Sequence, residues 1–299
     1  MTFQQLAYLI EVSKCGSVSA AAQKLYVSQS TISISINALE KEAGQSLFIR
    51  DGRGLQLTPR GEQVLVHAKR IMESRDLIAA QTGLKKRSVK IGCIQYTPAE
   101  NAFLRLLDEI PDISQFSLGL CDSRIGNFLD GLISCELDMA IFFVVSTARE
   151  QKEKAFEKYG LDYEILTTIP IAVCIGPGHP LYAEECVDIK DLGNTPLLDA
   201  PDRSVSGTGA FQGHLSVHPS KSIIASGHKA RRGILNKGLA YTITHMRSQK
   251  DQAETGLRYI PLNNMNYIIY SVMDKSRPNA PEVYRYLELL KEEVAAYSC

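Results

Sequence analysis

The sequence of 299 residues has no long hydrophobic run and no basic N-terminal segment followed by an apolar one. A membrane-spanning helix needs about 20 consecutive apolar residues. The longest apolar run here, around residues 139–145, has only the length of a strand. The N-terminus also lacks the pattern of a secretory signal. These absences argue against a membrane protein and predict a cytoplasmic location.

The sequence also lacks the cysteine patterns of metal and disulfide sites. It contains no Cys-x-x-Cys pair and no zinc-like cluster. Most cysteines lie in apolar segments, where a free thiol behaves as a small hydrophobic group. A reducing cytoplasm disfavours disulfides. No nucleophile elbow or pair of catalytic carboxylates can be recognised, so the sequence predicts no metal site, no cofactor and no enzyme.

The net charge is zero, but the charges are unevenly distributed along the chain. Residues 1–87 carry twelve Lys and Arg against seven Asp and Glu, a balance of +5, and the remaining residues carry 21 against 26, a balance of −5. A basic N-terminal part joined to an acidic remainder favours contact between the first part and a polyanion, although chance can also give so modest an excess. The length predicts two or three domains.

Residues 17–37 predict two short helices joined by a two-residue corner. A serine stands where it can cap each helix, and these are Ser17 and Ser28. The second helix has apolar residues spaced by four and three, which fall on one inward face: Ile32, Ile36 and Leu39. This pattern is typical of a helix-turn-helix, whose second helix offers its N-terminal side chains to the major groove.

The segments that follow predict a wing and a long helix. Residues 46–50 and 55–58 read as two strands around the basic turn 51–54. Thr58 and Pro59 then begin a helix that can continue to residue 82. Four of its residues lie close to a heptad seam, namely Val64, Ala68, Ile71 and Ile78. We expect a dimer through this seam; packing against the chain's own C-terminal domain is the alternative.

From residue 88 onward, strands and helices alternate, which predicts a parallel α/β sheet with helices on both faces. Two such series follow each other, with connections between them near residues 166–168 and 261–264 and a cleft between two lobes. The expected domains are residues 1–58, a linker helix and hinge at 59–87, and a third domain at 88–299, in which lobe one comprises 88–165 and 265–299 and lobe two 166–264.

Several motifs stand in a recognisable order along the chain. They are Ala38-Leu39-Glu40, Leu47-Phe48-Ile49-Arg50, Leu57-Thr58-Pro59-Arg60-Gly61, the run from Cys135 to Ile141, Gly178-His179-Pro180-Leu181 and Lys237-Gly238-Leu239-Ala240. Together with residues 17–39, they resemble the LysR-type transcriptional regulator family, most specifically within residues 1–65.

The resemblance implies a multidomain α and α/β protein. It would have an N-terminal winged helix-turn-helix, a linker helix and a two-lobed periplasmic-binding-protein-like effector domain. The implied function is sequence-specific transcriptional regulation controlled by a small-molecule effector bound between the lobes. The implied partners are double-stranded operator DNA, the effector and further copies of the chain in a homodimer or homotetramer, with RNA polymerase as a further candidate.

Recognition helices of this family often carry Arg, Lys or Gln near the positions held here by Ile34, Ser35, Asn37 and Ala38. The second helix of this helix-turn-helix, which we call the reading helix, departs from that pattern, because it has no basic residue before Lys41. Affinity is then left to arginines of the wing and the next helix, and Gln29 is the best candidate for adenine contact. Ile34 either is exposed and can contact a thymine methyl group, or packs on the first helix. The predicted DNA-binding residues are Ser28, Gln29, Ser30, Thr31, Ser33, Asn37, Arg50, Arg53 and Arg60.

Residues at the ends of strands facing the cleft are candidates for effector binding. Thr97 can cap the following helix, and nearby backbone N–H groups can hold an anion or polar effector. Ordinary capping and turn formation is the alternative at most of these positions. The predicted effector-binding residues are Gln95, Tyr96, Thr97, Asp199, Ser226 and His228.

Two other functions remain open from the sequence. One is a redox-responsive regulator, for instance through Cys174 and Cys186, although neither position has an evident basic activator. The other is a ligand-binding module without a DNA-directed function.

Overall fold

The computed structural model describes residues 1–51, 54–81, 87–121, 128–199, 221–276 and 279–297. The chain divides into two compact units. The first comprises Met1–Arg87 with Ile133–Glu136, and the second comprises Ser88–Leu132 with Leu137–Cys299. Among the described helices, none combines the length and the apolar character needed to cross a bilayer.

The first unit contains the predicted helix-turn-helix and wing. Its helices are α1 (Phe3–Cys15), α2 (Val18–Leu25), α3 (Gln29–Ala43) and α4 (Pro59–Gln81), and its strands are β1 (Phe48–Asp51) and β2 (Gly54–Leu57), which pair antiparallel. Both predicted serine caps are confirmed: Ser17 Oγ accepts from the backbone N–H of Ala20, and Ser28 Oγ accepts from that of Thr31. The corner residue Tyr26 is left-handed, at φ 56°.

The inward face of α3 packs as its spacing predicts. Ile32, Ile36 and Leu39 are buried in one cluster with residues of α1 and α2. The same cluster reaches the start of α4, where the hydroxyl of Thr58 accepts from the backbone N–H of Gly61 at 2.9 Å. A Cβ at Gly61 would lie 2.1 Å from the carbonyl oxygen of Leu47, so α4 can begin this close to β1 only because residue 61 is glycine.

The heptad seam predicted on α4 is divided between two environments. Ala68 is buried in the core of the first unit, and Val64 packs against the same core. Ile71 and Ile78 are exposed. The first half of the seam therefore covers the helix-turn-helix of its own chain, a use that neither the expected dimer nor the alternative of packing on the C-terminal domain includes.

The second unit is built on a mixed six-stranded sheet in the order β4-β3-β5-β10-β6-β9. Strands β3 and β5 are parallel, β10 is antiparallel to both β5 and β6, and β9 is antiparallel to β6. The prediction of a parallel sheet is thus wrong. The bounds are β3 Arg87–Gly92, β4 Phe116–Cys121, β5 Met139–Val145, β6 Asp162–Ile175, β9 Thr242–His245 and β10 Arg258–Met273.

Strands β6 and β10 explain this difference. They pair along most of their lengths, so the expected connections near 166–168 and 261–264 are strand, with a register irregularity between Pro261 and Asn266. The first half of β6 is largely exposed and the second half is buried. This change of environment makes one continuous strand resemble two separate strands in the sequence. A small parallel pair, β7 (Leu197–Asp199) and β8 (Ser222–Ile224), completes the described strands.

Six described α-helices belong to this part of the fold. They are α5 (Thr97–Glu109), α6 (Phe128–Ile133), α7 (Arg149–Lys158), α8 (His228–Asn236), α9 (Gln249–Thr255) and α10 (Pro281–Ala296). Helices α5 and α10 are joined by a hydrogen bond from the Tyr286 hydroxyl to the Ala99 carbonyl at 3.1 Å and by the Arg285–Glu109 ion pair at 2.8 Å. The sequence did not reveal α7, which buries only Phe156.

Candidate DNA-reading surface and effector site

The outward face of α3 is polar except at Ile34 and Ala38. Ser30, Ser33 and Asn37 are exposed, on the side of the helix opposite the buried Ile32 and Ile36. The structure therefore leaves these predicted DNA-binding side chains accessible to a groove.

Hydroxyl groups are linked to one another at the start of α3. Ser28 Oγ lies 2.7 Å from both Ser30 Oγ and Thr31 Oγ1, and it also accepts the backbone N–H of Thr31 at 3.1 Å. Ser28 is therefore committed to capping. The hydroxyls of Ser30 and Thr31 are held in place by it, and both side chains remain exposed.

Gln29 is held by a residue of the preceding helix. Its Nε2 donates to Ser19 Oγ at 2.8 Å. A glutamine amide has two N–H donors and one carbonyl acceptor, so one donor and the acceptor remain for a base edge. Those are the groups needed for bidentate contact with adenine. The Ser19 contact was not foreseen, because it joins positions ten residues apart on different helices.

Two large apolar side chains are exposed in the helix-turn-helix. Ile34 is 69% exposed and Tyr26, in the corner, is 95% exposed. The open question about Ile34 is thereby resolved, since it does not pack on the first helix. The exposure of Tyr26 could not be predicted from the polar pattern of α3, because Tyr26 lies in the corner before that helix.

The positive charges near this surface come from outside α3. Arg50 is exposed on β1, and Arg60 is exposed in the first turn of α4, where Nη1 donates to Gln63 Oε1 at 3.0 Å. Lys24 of α2 pairs with Glu11 at 2.7 Å, and this hydrogen bond lowers the pKa of the Glu11 carboxyl. Lys24 is thus partly neutralised. The predicted residue Arg53 lies outside the described residues.

In the second unit, Gln95, Tyr96 and Thr97 follow β3 as predicted, but Thr97 does not cap α5. The helix begins at Thr97, and its N-cap residue Tyr96 makes no side-chain capping bond. Thr97 Oγ1 instead donates to Asp251 Oδ2 at 2.9 Å and accepts from Arg247 Nη1 at 3.3 Å. The capping prediction is wrong because the helix starts one residue earlier than a cap at position 97 requires.

Asp251 is the centre of a set of polar residues that we call the Thr97 cluster: Thr97, Arg247, Ser248, Asp251 and Tyr297. The Tyr297 hydroxyl donates to Asp251 Oδ2 at 2.7 Å and accepts from the backbone N–H of Ser248 at 3.0 Å. Burial would raise the pKa of Asp251, but hydrogen bonds from Tyr297 and Thr97 and the charge of Arg247 lower it overall. The cluster joins the starts of α5 and α9 to the residue after α10.

An aromatic group adjoins the Thr97 cluster. The buried ring of Tyr96 makes edge contacts with Phe143, His245 and Tyr297, at centroid distances of 5.2, 5.6 and 6.1 Å. His245 is 2% exposed, and its Nε2 has no hydrogen-bond partner among the described residues. Burial, with a smaller effect from the charge of Arg247, lowers the pKa of His245 to about 3. Sequence reasoning missed His245 and most of the Thr97 cluster, because their role depends on contacts between distant segments.

The remaining effector candidates gather around β7, β8 and α8. Asp199 ends β7 and is buried, and its carbonyl accepts from the backbone N–H of Ala225 at 3.1 Å. Ser226 and His228 are exposed on either side of Gly227, the N-cap residue of α8. Arg231 lies nearby; burial lowers its pKa, while the charge of Asp199 acts in the opposite direction. The structure thus brings these three candidates together on elements other than those that carry Thr97.

The cysteines give little support to a redox function. The six described cysteines are free. Cys174 is buried, and burial raises the pKa of its thiol to about 11, so it stays protonated. Cys186 is exposed and donates to Asn263 Oδ1 at 2.6 Å.

Comparison with known proteins accounts for both units. The model of the bacterial regulatory helix-turn-helix protein, lysR family, matches residues 3–62, and that of the LysR substrate binding domain matches residues 84–295. The chain is 27% identical over 205 residues to the uncharacterized HTH-type transcriptional regulator YvbU of Bacillus subtilis, covering 66% of this chain and 65% of that relative. The match thus spans slightly less than two thirds of the relative's length.

Two solved structures share the fold along nearly the whole chain. Full-length OxyR C199D from Pseudomonas aeruginosa is 21% identical, with a TM-score of 0.61, and the match covers 100% of this chain and 96% of that one. Full-length CbnR in complex with its target DNA is 19% identical, with a TM-score of 0.52, covering 98% and 100%. The chain belongs to the LysR family of DNA-binding transcriptional regulators with an effector-binding domain, a family that is not enzymatic.

Proposed function

We propose that this regulator reads its operator by placing the exposed face of α3 in the major groove. The observation that carries the proposal is the Gln29–Ser19 hydrogen bond of 2.8 Å, which holds a glutamine at the start of α3 with one donor and one acceptor unused. Ser30, Thr31, Ser33 and Asn37 supply further polar groups, and CbnR, of the same fold, has been solved with its target DNA.

Affinity comes from phosphate contacts away from α3. Arg50 is exposed on β1 and Arg60 in the first turn of α4, and Arg53, which the sequence places in the wing, adds a third. Phosphate contacts of this kind set affinity and salt dependence without carrying sequence information.

The domain limits that we propose remain residues 1–58, 59–87 and 88–299.

The test is selection of bound duplexes from a random pool by the full chain, followed by footprinting and titration of Gln29→Ala. We expect Gln29→Ala to lose discrimination at one base step, by about 1–3 kcal/mol, with little change in binding to unrelated DNA. Gln45→Ala is the matched control, because Gln45 is also exposed but lies beyond the far end of α3. Equal weakening on all sequences would contradict base reading by Gln29, and failure to enrich any sequence would contradict the proposed function.

We propose in addition that two or four copies assemble through the exposed half of α4. Ile71 and Ile78 are the exposed residues of the predicted seam. Ile78→Glu should therefore shift the sedimentation coefficient towards monomer, whereas Ile113→Glu, at an exposed isoleucine of the second unit, should not. Contact with RNA polymerase would follow only once the assembly is on DNA.

For the effector, we propose a polar or anionic small molecule that engages the Thr97 cluster. The support is the convergence of a hydroxyl with a carboxylate and a guanidinium that lie 154 and 150 residues further along the chain. A ligand that replaces the Thr97–Asp251 bond changes how these segments are held and thereby couples to DNA binding. Asp199, Ser226 and His228 are candidates for a second set of contacts.

A thermal-shift screen of metabolites on the full chain tests this placement, because a ligand that binds the folded state raises Tm by mass action. Thr97→Val should abolish the shift produced by a hit. Thr168→Val, at an exposed position of β6, should retain it. A hit whose shift survives both Thr97→Val and Asp251→Asn would contradict a site at the Thr97 cluster.

A further inference from the structure

Ile34 lies at the middle of the outward face of α3. Ser30, one turn before it, and Asn37, one turn after it, are exposed on the same side of the helix. Ala38, four residues after Ile34, is also exposed. The centre of the reading face is therefore a short apolar strip, from Ile34 to Ala38, bordered by hydroxyl and amide groups.

The folding of the first unit does not explain an isoleucine at this position. The core positions of α3 are filled by Ile32, Ile36 and Leu39, whereas Ile34 is 69% exposed. A β-branched side chain also lowers helix propensity slightly, because its rotamers are restricted against the preceding turn. A polar residue or alanine would serve the isolated helix better. The exposed side chain of Ile34 is therefore available to a partner that binds this face.

The major groove offers one apolar group on the edges of its bases. This is the methyl group at C5 of thymine; the other edge groups are hydrogen-bond donors and acceptors. Cytosine acquires the same group when it is methylated at C5. Since the face carries no basic residue before Lys41, it is unsuited to guanine contact at its centre, where an arginine or lysine would be needed.

We propose that Ile34 is a specificity-determining residue that contacts the 5-methyl group of a pyrimidine in each half-site. The proposal rests on the proposed placement of α3 in the major groove and extends it from polar to apolar reading. Gln29 and the hydroxyls bind donor and acceptor patterns, and Ile34 with Ala38 forms the dry contact between them. A base without the methyl group would leave Ile34 against water at that step.

The test uses full-length protein and a duplex enriched from a random pool. Each thymine within the footprint is replaced singly by deoxyuridine, which removes the methyl group and keeps the hydrogen-bonding edge. We expect one step in each half-site to weaken wild-type binding about fourfold, which corresponds to ~0.8 kcal/mol for one buried methyl-sized group. Ile34→Ala should bind the two duplexes equally, and Ile34→Val should give an intermediate ratio.

A second arm distinguishes the two sources of the methyl group. At the sensitive step, a C·G pair is compared with the same pair methylated at C5 of cytosine. If the contact depends on the methyl group alone, methylation should restore about fourfold in affinity for the wild type and nothing for Ile34→Ala. If only thymine gives the effect, the contact is to thymine, and its neighbouring carbonyl contributes to the recognition.

Ile113→Ala is the matched control, because Ile113 is exposed to a comparable degree in the second unit. It should keep the full wild-type sensitivity to deoxyuridine. The proposal is overturned if no single deoxyuridine changes wild-type Kd by more than twofold, or if Ile34→Ala keeps the same sensitivity. If the pool yields no enriched sequence, the placement of α3 fails and this inference fails with it.

Discussion

The hydroxyl of Thr97 donates to a carboxylate oxygen of Asp251 at 2.9 Å, across 154 residues of sequence. The same carboxylate oxygen accepts the Tyr297 hydroxyl, so a single charged group holds the segment after β3, the start of α9 and the C-terminal segment. Charge-assisted hydrogen bonds of this kind are stronger than neutral ones. Asp251 therefore contributes both to the stability of the second unit and to the way its parts are held together.

Asp251→Asn should lower stability at neutral pH by roughly 1–2 kcal/mol, because the bonds to the charged oxygen become neutral ones. The pKa of Asp251 is lowered in the folded state. Its contribution is therefore present above the unfolded pKa of about 3.9 and is lost as pH falls through the folded value. Urea unfolding of the full chain between pH 3 and 7 measures this. Asp108→Asn, at an exposed carboxyl of α5, should leave the pH profile unchanged.

His245→Phe should make stability less dependent on pH between 7 and 5. The pKa of folded His245 is lowered to about 3 by burial, whereas an unfolded histidine has a pKa of about 6.5. Below pH 6.5 the unfolded chain binds a proton that the folded chain excludes, so stability falls as pH falls, by about 2 kcal/mol at pH 5. The charged groups acting on this ring are Arg247 and Asp251. An unchanged wild-type slope in the variant would refute the assignment.

Gly61→Ala should destabilise the first unit by about 1–3 kcal/mol, as overpacking does, and weaken DNA binding. The added Cβ meets the backbone oxygen of Leu47 at 2.1 Å, which moves α4 relative to the wing. Gly233→Ala in α8 is the matched substitution, because its Cβ meets nothing among the described residues within 4 Å. It should be neutral or stabilise by about 0.5–1 kcal/mol through helix propensity. Circular dichroism melts of the two variants check the contrast.

Ile32→Ala and Ile34→Ala should differ sharply in stability although the residues are two positions apart. Ile32 is fully buried, so its truncation leaves a cavity and should cost about 2–5 kcal/mol. Ile34 is exposed, and its truncation should change stability by less than about 0.5 kcal/mol. Guanidinium titrations measure both. Comparable losses in the two variants would mean that Ile34 is not free in solution.

The sequence predicted the first unit well because its structure depends on local signals. Ser17 and Ser28 cap the helices that they precede, and the spacing of Ile32 and Ile36 alone defines the inward face of α3. In the second unit, the pairing of β6 with β10 joins segments about 100 residues apart. No local sequence pattern indicates such a register, so the sequence predicts a parallel sheet and divides β6 into two strands.

The candidate sites show the same difference between local signals, which the sequence reveals, and contacts between distant segments, which it does not. Gln29 could be chosen from its place at the start of α3, but its anchor Ser19 could not, since the contact depends on how two helices cross. The sequence singles out Thr97 as a helix cap, a role that it does not have in the structure. Its partners Arg247, Asp251 and Tyr297 carry no motif, and only the tertiary fold brings them together.

Strands β6 and β10 span the region where the sequence predicts connections between two lobes. Because β6 and β10 are hydrogen-bonded to each other, this region consists of two paired strands and not of two independent linkers. The register irregularity between Pro261 and Asn266 is a place where the regular pairing of the two strands is interrupted. Substitutions in residues 262–265 would therefore act on the part of β10 that its partner strand β6 holds least.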